Sequence, residues 1–332
     1  MERFLSHLAS LEIESPDVDA SVAFYTERFG MRLIERTDGA AYLRCWGDYY
    51  AYSLAIRAGS APALAKMTWR TDSEQALEAA AERVLATGVG GEWVDGGFAY
   101  GRGFEFVGPY GHRMQLVWEI DRYQAPDEFK STYPDRPERR SSHGAAPRFL
   151  DHVTIASVDV DGFAQWYHDV LGFRIMARTQ IDGSERSVFS VITTNEKSHD
   201  LGIVLDHSTT LGRVNHIAFW VDTDVELERV ADILIENGTP MEWGPGVHGI
   251  GEQHYLYFRE PSGLRVEVNS GGYRNYVPDW KANTWLPFDG GMNMWRNSAF
   301  PMTIFEAFPA ADGLSAAEDA VHPDMRDRLL NS

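Results

Sequence analysis

The chain has 332 residues, of which 44% are hydrophobic and 12% aromatic, and this size and composition predict two domains with a large buried core. The formal net charge is −19 and no lysine- or arginine-rich run occurs, so nucleic-acid and anionic-membrane partners are not expected. Cys45 is the only cysteine, which excludes an intrachain disulfide framework and a paired-cysteine zinc or redox site.

The N-terminal segment, MERFLSHLASLEIESPD, carries early charges and has no apolar core of signal-peptide length. No run of about 18 apolar residues follows it, so no membrane span is predicted. We therefore expect a cytoplasmic protein. The first predicted strand lies in this segment, in LASLEIES.

An internal duplication organises the chain from this strand onward. The segment LASLEIESPDVDASVAFYTERFGMRLIER, from Leu8, aligns with LDHVTIASVDVDGFAQWYHDVLGFRIMAR, from Leu150, and both predict a strand, a helix and a second strand. Further along, KMTWRTDSEQALEAAAERVLATG, from Lys66, aligns with HIAFWVDTDVELERVADILIENG, from His216. Each half also repeats strand and helix within itself, which predicts four βαβββ units.

We predict an α+β fold of two tandem domains, each built from two βαβββ units. A polar, aperiodic stretch separates the two halves and is typical of a linker. After the second half, a tryptophan-rich segment and then an acidic stretch are expected to cover the second half or to meet another subunit. The predicted boundaries are residues 1–120 for the N-terminal domain, 121–147 for the linker, 148–280 for the C-terminal domain and 281–332 for the tail.

Three aligned positions carry potential metal ligands in the second half only. The aligned pairs, first half before second, are Ser10 and His152, Lys66 and His216, and Gln115 and Glu267. A single histidine in an apolar strand is more often a buried structural residue. Two histidines at equivalent positions, with a carboxylate on a third strand, instead favour a metal site. This ligand set is typical of non-heme Fe(II), whereas zinc more often takes a closed tetrahedral site.

The turn EPSG predicts the register of the hairpin that carries Glu267. Pro261 suits the second position of a type I turn, and Gly263 suits the left-handed residue of a three-residue hairpin loop. With that loop, Tyr257 lies directly opposite Glu267, and both side chains project from the same face. Two other glutamates of the segment, Glu252 and Glu260, are expected to be solvated.

The second half resembles the type I extradiol ring-cleaving dioxygenases of the vicinal oxygen chelate superfamily, specifically the catechol 2,3-dioxygenases. The resemblance extends over about residues 1 to 290 and includes the N-terminal half without ligands. It implies the vicinal oxygen chelate, or glyoxalase-like, fold. The family signature is a long, spaced pattern and is matched by Gly246, His248, Leu256, Tyr257, Glu260, Pro261, Gly263 and Glu267.

The resemblance implies a role for each polar residue of the second half. Fe(II) would be bound by His152, His216 and Glu267, in agreement with the duplication. His199 would act as general acid and base, with His207 as a competing candidate. His248 would hydrogen-bond the substrate or an intermediate, and Tyr257 would contact the catecholate or oxygen. His254 is expected to be structural or solvent-facing.

The resemblance also implies the reaction, in which a catechol and O₂ give a 2-hydroxymuconic semialdehyde in aromatic-compound catabolism. Trp243 and Asn293 correspond to positions where the branch that acts on carboxylated catechols has arginines. Because neither side chain balances a carboxylate, we predict a neutral catechol, either catechol itself or a methylated or chlorinated catechol, in a pocket that these two residues line. Trp243 is equally compatible with ordinary core packing. A homo-oligomer, often a tetramer in this family, is also expected.

Two alternative functions are compatible with this fold. One is a metal-dependent lyase or isomerase, whose sites favour a second carboxylate ligand and do not need His199, His248 and Tyr257 in the same half. The other is a small-molecule-binding protein without catalytic activity, which needs no metal. The grouping of two histidines and a glutamate on corresponding strands favours the dioxygenase.

Overall fold

The computed structural model describes residues 3–181, 183–208 and 210–314 of the chain. Within those residues it contains two β-sheets, one in each half, and four α-helices. The first sheet contains β1 (Leu5–Ser15), β2 (Arg32–Arg36), β3 (Ala41–Arg44), β4 (Leu54–Ala58), β5 (Ala63–Thr71), β6 (Glu92–Val94), β7 (Gly103–Val107) and β8 (Arg113–Val117). The second contains β9 (Phe149–Ser157), β10 (Arg174–Gln180), β11 (Ser187–Thr193), β12 (Leu201–Leu205), β13 (Val214–Trp220), β14 (Met241–Val247), β15 (Gln253–Arg259), β16 (Arg265–Gly271) and β17 (Asn283–Trp285). The helices are α1 (Val18–Ala23), α2 (Glu74–Ala86), α3 (Val160–Leu171) and α4 (Asp224–Glu236).

Each half consists of two βαβββ units, so the predicted α+β architecture is confirmed. The first strands of the two units pair antiparallel at the centre of each sheet, β1 with β5 and β9 with β13. Across the first sheet the strand order is β2, β3, β4, β1, β5, β8, β7, β6. Across the second it is β14, β15, β16, β13, β9, β12, β11, β10, β17. The two sheets therefore share one topology, except that β17 is added to the second.

The helices have the caps that their sequences suggest. Asp159 accepts a hydrogen bond at the start of α3, and the helix ends at Gly172, whose φ of +77° is left-handed. A capping box opens α4, formed by Thr223 and Glu226. In contrast to the predicted regular helix, α1 is short and continues as a π-helical turn over Phe24–Arg28.

Aromatic side chains join the two halves into one hydrophobic core. The ring of Phe29 lies 5.2 Å from the ring of Phe219, centroid to centroid, and the ring of Phe24 lies 5.8 Å from that of Phe258. The segment of α1 and its π-helical turn thus packs against the second half. Such aromatic pairs bury large apolar surfaces, so each half covers apolar surface of the other.

The segment after β16 packs on both halves. Strand β17 pairs with β10, and Phe308 exchanges backbone hydrogen bonds with Val214, at 2.7 and 3.4 Å. The chain then reaches the first sheet, where Ala310 pairs with Leu64. Residues 315–332, with most of the predicted acidic stretch, lie outside the described residues. Among the helices of the described chain, none has the length and apolar character needed to cross a membrane.

Candidate metal centre

Three adjacent strands at the centre of the second sheet carry His152, His216 and Glu267. Ala218 of β13 pairs with His152 of β9 on one side and with Glu267 of β16 on the other. His216 precedes Ala218 by two residues, so its side chain projects from the same face. The sheet register therefore directs all three side chains to one point.

The three side chains meet below the protein surface. The Nε2 atoms of His152 and His216 lie 3.2 Å apart, and they lie 3.1 and 3.0 Å from Oε2 of Glu267. One ligand atom from each residue falls within 4.8 Å of the others. All three residues are buried, with Glu267 only 1% exposed.

Glu267 gives the cluster an ionised carboxylate next to two imidazole rings. Burial alone would raise the pKa of Glu267, but the two histidines hold it well below its usual range. Burial lowers the pKa of His152, but the carboxylates of Glu267 and Asp151 outweigh it and raise this pKa to about 9. For His216 burial is the larger effect and lowers the pKa to about 4. Neither carboxylate oxygen of Glu267 accepts a hydrogen bond of good geometry. A divalent cation at the point where the three ligand atoms meet would satisfy them.

The second ring nitrogen of each histidine is held by the residue that precedes it in the chain. His152 Nδ1 lies 2.8 Å from Asp151 Oδ2, and His216 Nδ1 lies 2.7 Å from Asn215 Oδ1. Each of these contacts leaves Nε2 as the atom that faces the cluster, as is usual for metal-binding histidines. The Lys197 ammonium lies 2.8 Å from Asp151 Oδ1 and balances its charge.

Sequence reasoning missed Asp151 and Asn215, although the duplication holds a signal for them. The aligned residues of the first half are Ala9 and Ala65. They precede Ser10 and Lys66, the counterparts of His152 and His216. A polar residue therefore appears before each histidine only in the half that carries the cluster. Lys197 has no comparable signal, because its contact with Asp151 depends on the pairing of distant strands.

The residues predicted to act on the substrate surround the cluster. His199 is 6% exposed, and its ring centroid lies 4.2 Å from that of His152. Tyr257 pairs directly with Glu267, which confirms the register predicted from the EPSG turn. The hydroxyl of Tyr257 lies 3.0 Å from His248 Nε2, and His248 Nε2 lies 3.7 Å from Glu267 Oε1.

Burial has opposite effects on His199 and Tyr257. It lowers the pKa of the His199 imidazole well below its ordinary value, so this side chain is neutral at pH 7. It raises the pKa of the Tyr257 phenol well above its ordinary value, an effect that the charge of Glu267 strengthens. A neutral base and a neutral hydrogen-bond donor therefore lie beside the cluster.

The remaining histidines and glutamates lie farther from the cluster. His207 is exposed at the rim of the cavity described below, and His254 is half-buried and lies 3.4 Å from Asp224. Glu252 is exposed, as predicted. The expectation that Glu260 is solvated was wrong, because the side chain is 2% exposed and accepts a hydrogen bond of 2.9 Å from Ser21 of the first half. The turn sequence carries no sign of this contact between the halves.

Trp243 and Asn293 differ in their positions. Trp243 lines the cavity above the cluster, and its ring stacks on that of Tyr257 with centroids 5.8 Å apart. Asn293 is buried but is not among the described residues that line the cavity. Its amide nitrogen instead donates to Asn297 Oδ1 and Ser298 O, at 2.9 and 3.0 Å. The expectation that Asn293 lines the pocket is therefore wrong, and its neighbour Met292 lines the pocket instead.

The cluster lies at the base of a cavity of about 720 Å³, which is within the range of small-molecule sites. Its base is polar and includes His199, His248 and Tyr257, and most of its wall is apolar. The apolar lining comprises Val188, Phe189, Val191, Val204, Leu205, Trp243, Ile250, Pro287, Phe288, Met292, Phe300, Met302, Ile304 and Phe305. The last seven belong to the segment after β16, so this segment completes the cavity.

The equivalent face of the first sheet carries no corresponding group of metal ligands among its described residues. Thr68 takes the place of Ala218 and pairs with Ser10 and Gln115, the counterparts of His152 and Glu267. Lys66, the counterpart of His216, forms an ion pair of 2.9 Å with Glu105. The second sheet thus brings together two imidazoles and a carboxylate. At the equivalent place the first sheet has the ion pair of Lys66 and Glu105 and otherwise uncharged side chains.

Comparison with known proteins relates both halves to one family. The model of the glyoxalase/bleomycin resistance protein/dioxygenase superfamily matches residues 5–116 and 149–268. A metapyrocatechase from Geobacillus stearothermophilus is 30% identical over 300 residues, which are 90% of this chain and 91% of that protein. A manganese-dependent 2,3-dihydroxybiphenyl 1,2-dioxygenase from Geobacillus genomosp. 3 is 29% identical over 85% of this chain and 90% of its own length. The solved structure of the 2,3-dioxygenase LapB from Pseudomonas sp. KL28 has the same fold, with a TM-score of 0.79 and 23% identity over 86% of this chain and 99% of that one.

Proposed function

The chain belongs to the glyoxalase/bleomycin resistance protein/dioxygenase superfamily, and we propose that it is an extradiol dioxygenase of the catechol 2,3-dioxygenase type. It would cleave a neutral catechol with O₂ to a 2-hydroxymuconic semialdehyde. One observation carries this proposal: His152, His216 and Glu267 converge at the base of a cavity that His199, His248 and Tyr257 also line. The similarity to a metapyrocatechase over nearly the whole chain supports it.

Two histidines and one carboxylate on one face of an ion suit Fe(II), because they leave adjacent positions open for substrates. When bound, Fe(II) would supply Lewis-acid and one-electron chemistry that the side chains lack. A relative is named as manganese-dependent, so Mn(II) is the alternative ion to test. We propose His152, His216 and Glu267 as the protein ligands.

The neighbouring side chains would handle the protons of the reaction. Since burial keeps His199 neutral at pH 7, it can accept a proton at a ring nitrogen as the catechol binds and return it later. The hydrogen bond between His248 Nε2 and the Tyr257 hydroxyl fixes both groups beside Glu267. We infer that His248 and Tyr257 orient the substrate oxygens, and that the buried cavity around them limits access of water.

The alternative functions have less support. A lyase or isomerase site favours a second carboxylate ligand, yet within the described residues Glu267 is the one carboxylate of the cluster. A binding protein would need neither the ligand set nor His199 next to it. We also infer a cytoplasmic homo-oligomer, often a tetramer in this family, and light scattering in solution would measure the number of subunits.

Reconstitution tests the proposal directly. The protein is loaded anaerobically with Fe(II) or Mn(II), mixed with catechol and exposed to air. We expect oxygen uptake and a yellow ring-fission product, and a colourless diacid or no oxygen uptake would refute extradiol cleavage. His152→Ala and Glu267→Ala should lose metal while the protein stays folded by circular dichroism. Gln115→Ala, at the aligned position of the first half, is the matched control and should bind metal as the unaltered protein does.

A further inference from the structure

The cavity above the cluster extends from buried residues at its base to exposed residues at its mouth. At its base, His152 and Glu267 are each 1% exposed. At its mouth, Phe288 is 82% exposed and Met302 is 75% exposed. A catechol bound at the base would fill little of about 720 Å³, because cavities of this size hold drug-sized ligands. The rest of the volume lies between the catechol and the solvent.

The middle of the cavity is bounded by buried apolar side chains. Trp243 and Ile304 form part of one packed cluster, which Phe300 and Met292 extend. Ile250 belongs to a second packed cluster, with Val191. Because residues of both clusters line the cavity, a group that extends from a bound catechol would meet their apolar side chains.

The described lining contains neither lysine nor arginine. Apart from Glu267, its one acidic residue is Asp206, which lies near the mouth and is paired with Arg213 at 2.8 Å. A carboxylate substituent would find no lysine or arginine in this lining and would be desolvated at a high cost. The chemistry of the wall therefore favours a substituent without charge.

From these observations we propose that the enzyme selects catechols that carry one large, uncharged, apolar substituent, such as a phenyl ring or an alkyl chain of several carbons. This proposal rests on the proposed function and goes beyond the methyl- or chlorocatechol predicted from the sequence. The substituent would lie against Trp243, Ile250 and Ile304. Burial of each further methylene should raise kcat/KM about three- to fourfold until the cavity is filled.

A substrate series tests the proposal. Oxygen uptake is measured with catechol, with its methyl, butyl and phenyl derivatives substituted at either carbon 3 or carbon 4, and with 3,4-dihydroxyphenylacetate. We expect kcat/KM to rise from catechol to the butyl or phenyl compound in at least one series, and the carboxylate to be the poorest substrate. Cleavage of catechol together with a flat or falling series would overturn the substrate proposal alone. Absence of cleavage with every compound would overturn the proposed function as well.

Variants of Ile304 locate the substituent. Ile304→Phe fills the cavity and should lower the ratio of kcat/KM for phenylcatechol over catechol by at least about tenfold. Ile304→Ala cannot clash and should lower the same ratio because contact with the substituent is lost. This variant tests the location even if Ile304→Phe disturbs folding. Ile235→Phe is the matched control, because Ile235 is 54% exposed on α4 and should leave the ratio unchanged. An unchanged ratio in both Ile304 variants would refute this location.

Discussion

Asp151 Oδ2 lies 2.8 Å from Nδ1 of His152, its neighbour in the chain. The same oxygen accepts hydrogen bonds from Gln253 and Asn269, at 3.1 and 3.0 Å. Burial alone would raise the pKa of Asp151, but the Lys197 ammonium and His152 hold it well below its usual range. A fixed, ionised carboxylate therefore sets the orientation of the His152 ring, one of the proposed metal ligands.

Replacing this carboxylate should weaken metal binding. We expect Asp151→Asn to raise the dissociation constant for Mn(II) or Fe(II) by about 10- to 100-fold, because outer-shell partners of metal-binding histidines typically contribute that much. Anaerobic calorimetric titration measures the constant. Asp169→Asn, an exposed position on α3, is the control. Equal affinities of Asp151→Asn and the unaltered protein would show that the contact has no role in binding.

His199 is expected to transfer protons rather than to hold the metal or the substrate. His199→Gln should keep metal and catechol but lower kcat by about 10²- to 10⁴-fold, the usual contribution of a general acid or base. His207→Gln, at the exposed rim, is the matched variant and should keep its rate. Binding is measured anaerobically and turnover by oxygen uptake. The reverse outcome, a slow His207 variant and a fast His199 variant, would assign the proton transfer to His207.

The stability of the fold should depend on pH through His112. This residue is 2% exposed, its Nε2 donates to Arg213 O at 2.8 Å in the second half, and burial lowers its pKa to about 4. In the unfolded chain His112 is protonated below about pH 6.5, whereas in the folded chain it stays neutral down to about pH 4. Stability should therefore fall as the pH decreases through this window, by roughly 3 kcal/mol at most.

Urea unfolding between pH 4 and 7 measures this effect. His112→Gln, which can still donate to Arg213 O but does not titrate, should show a smaller loss of stability on acidification. Burial also lowers the pKa of His216, a proposed metal ligand, to about 4, so the difference between variant and unaltered protein is the informative quantity. Parallel stability curves for the two proteins would contradict the assignment to His112.

Glu260 and Glu252 form a natural pair for a stability experiment. Glu260→Ala removes the hydrogen bond with Ser21 across the two halves and should lower the free energy of unfolding by about 2 kcal/mol. Glu252→Ala, at an exposed position of the same region, should change it by less than about 0.5 kcal/mol. Chemical unfolding measures both. Equal effects would mean that the buried carboxylate adds nothing to the contact between the halves.

The sequence allowed prediction where the determining forces are local or repeated. The EPSG turn and strand alternation predicted the pairing of Tyr257 with Glu267, because a turn type sets the register of its own hairpin. The duplication predicted the three residues that the sheet then brings together. Glu260 and Asn293 were misjudged because their surroundings come from distant segments. No local pattern reveals that Ser21 meets Glu260, or that Asn293 turns toward Ser298.

Two regions of the first half differ in how well they should tolerate substitution. On one face, Lys66 and Glu105 neutralise each other, so ligands could be exchanged there without leaving a buried charge. Elsewhere, Phe24 and Phe29 cover Phe258 and Phe219, and replacing them would expose the apolar surface of the other half to water. The first half, although it has no ligand set, could therefore not be removed without exposing apolar surface of the second half.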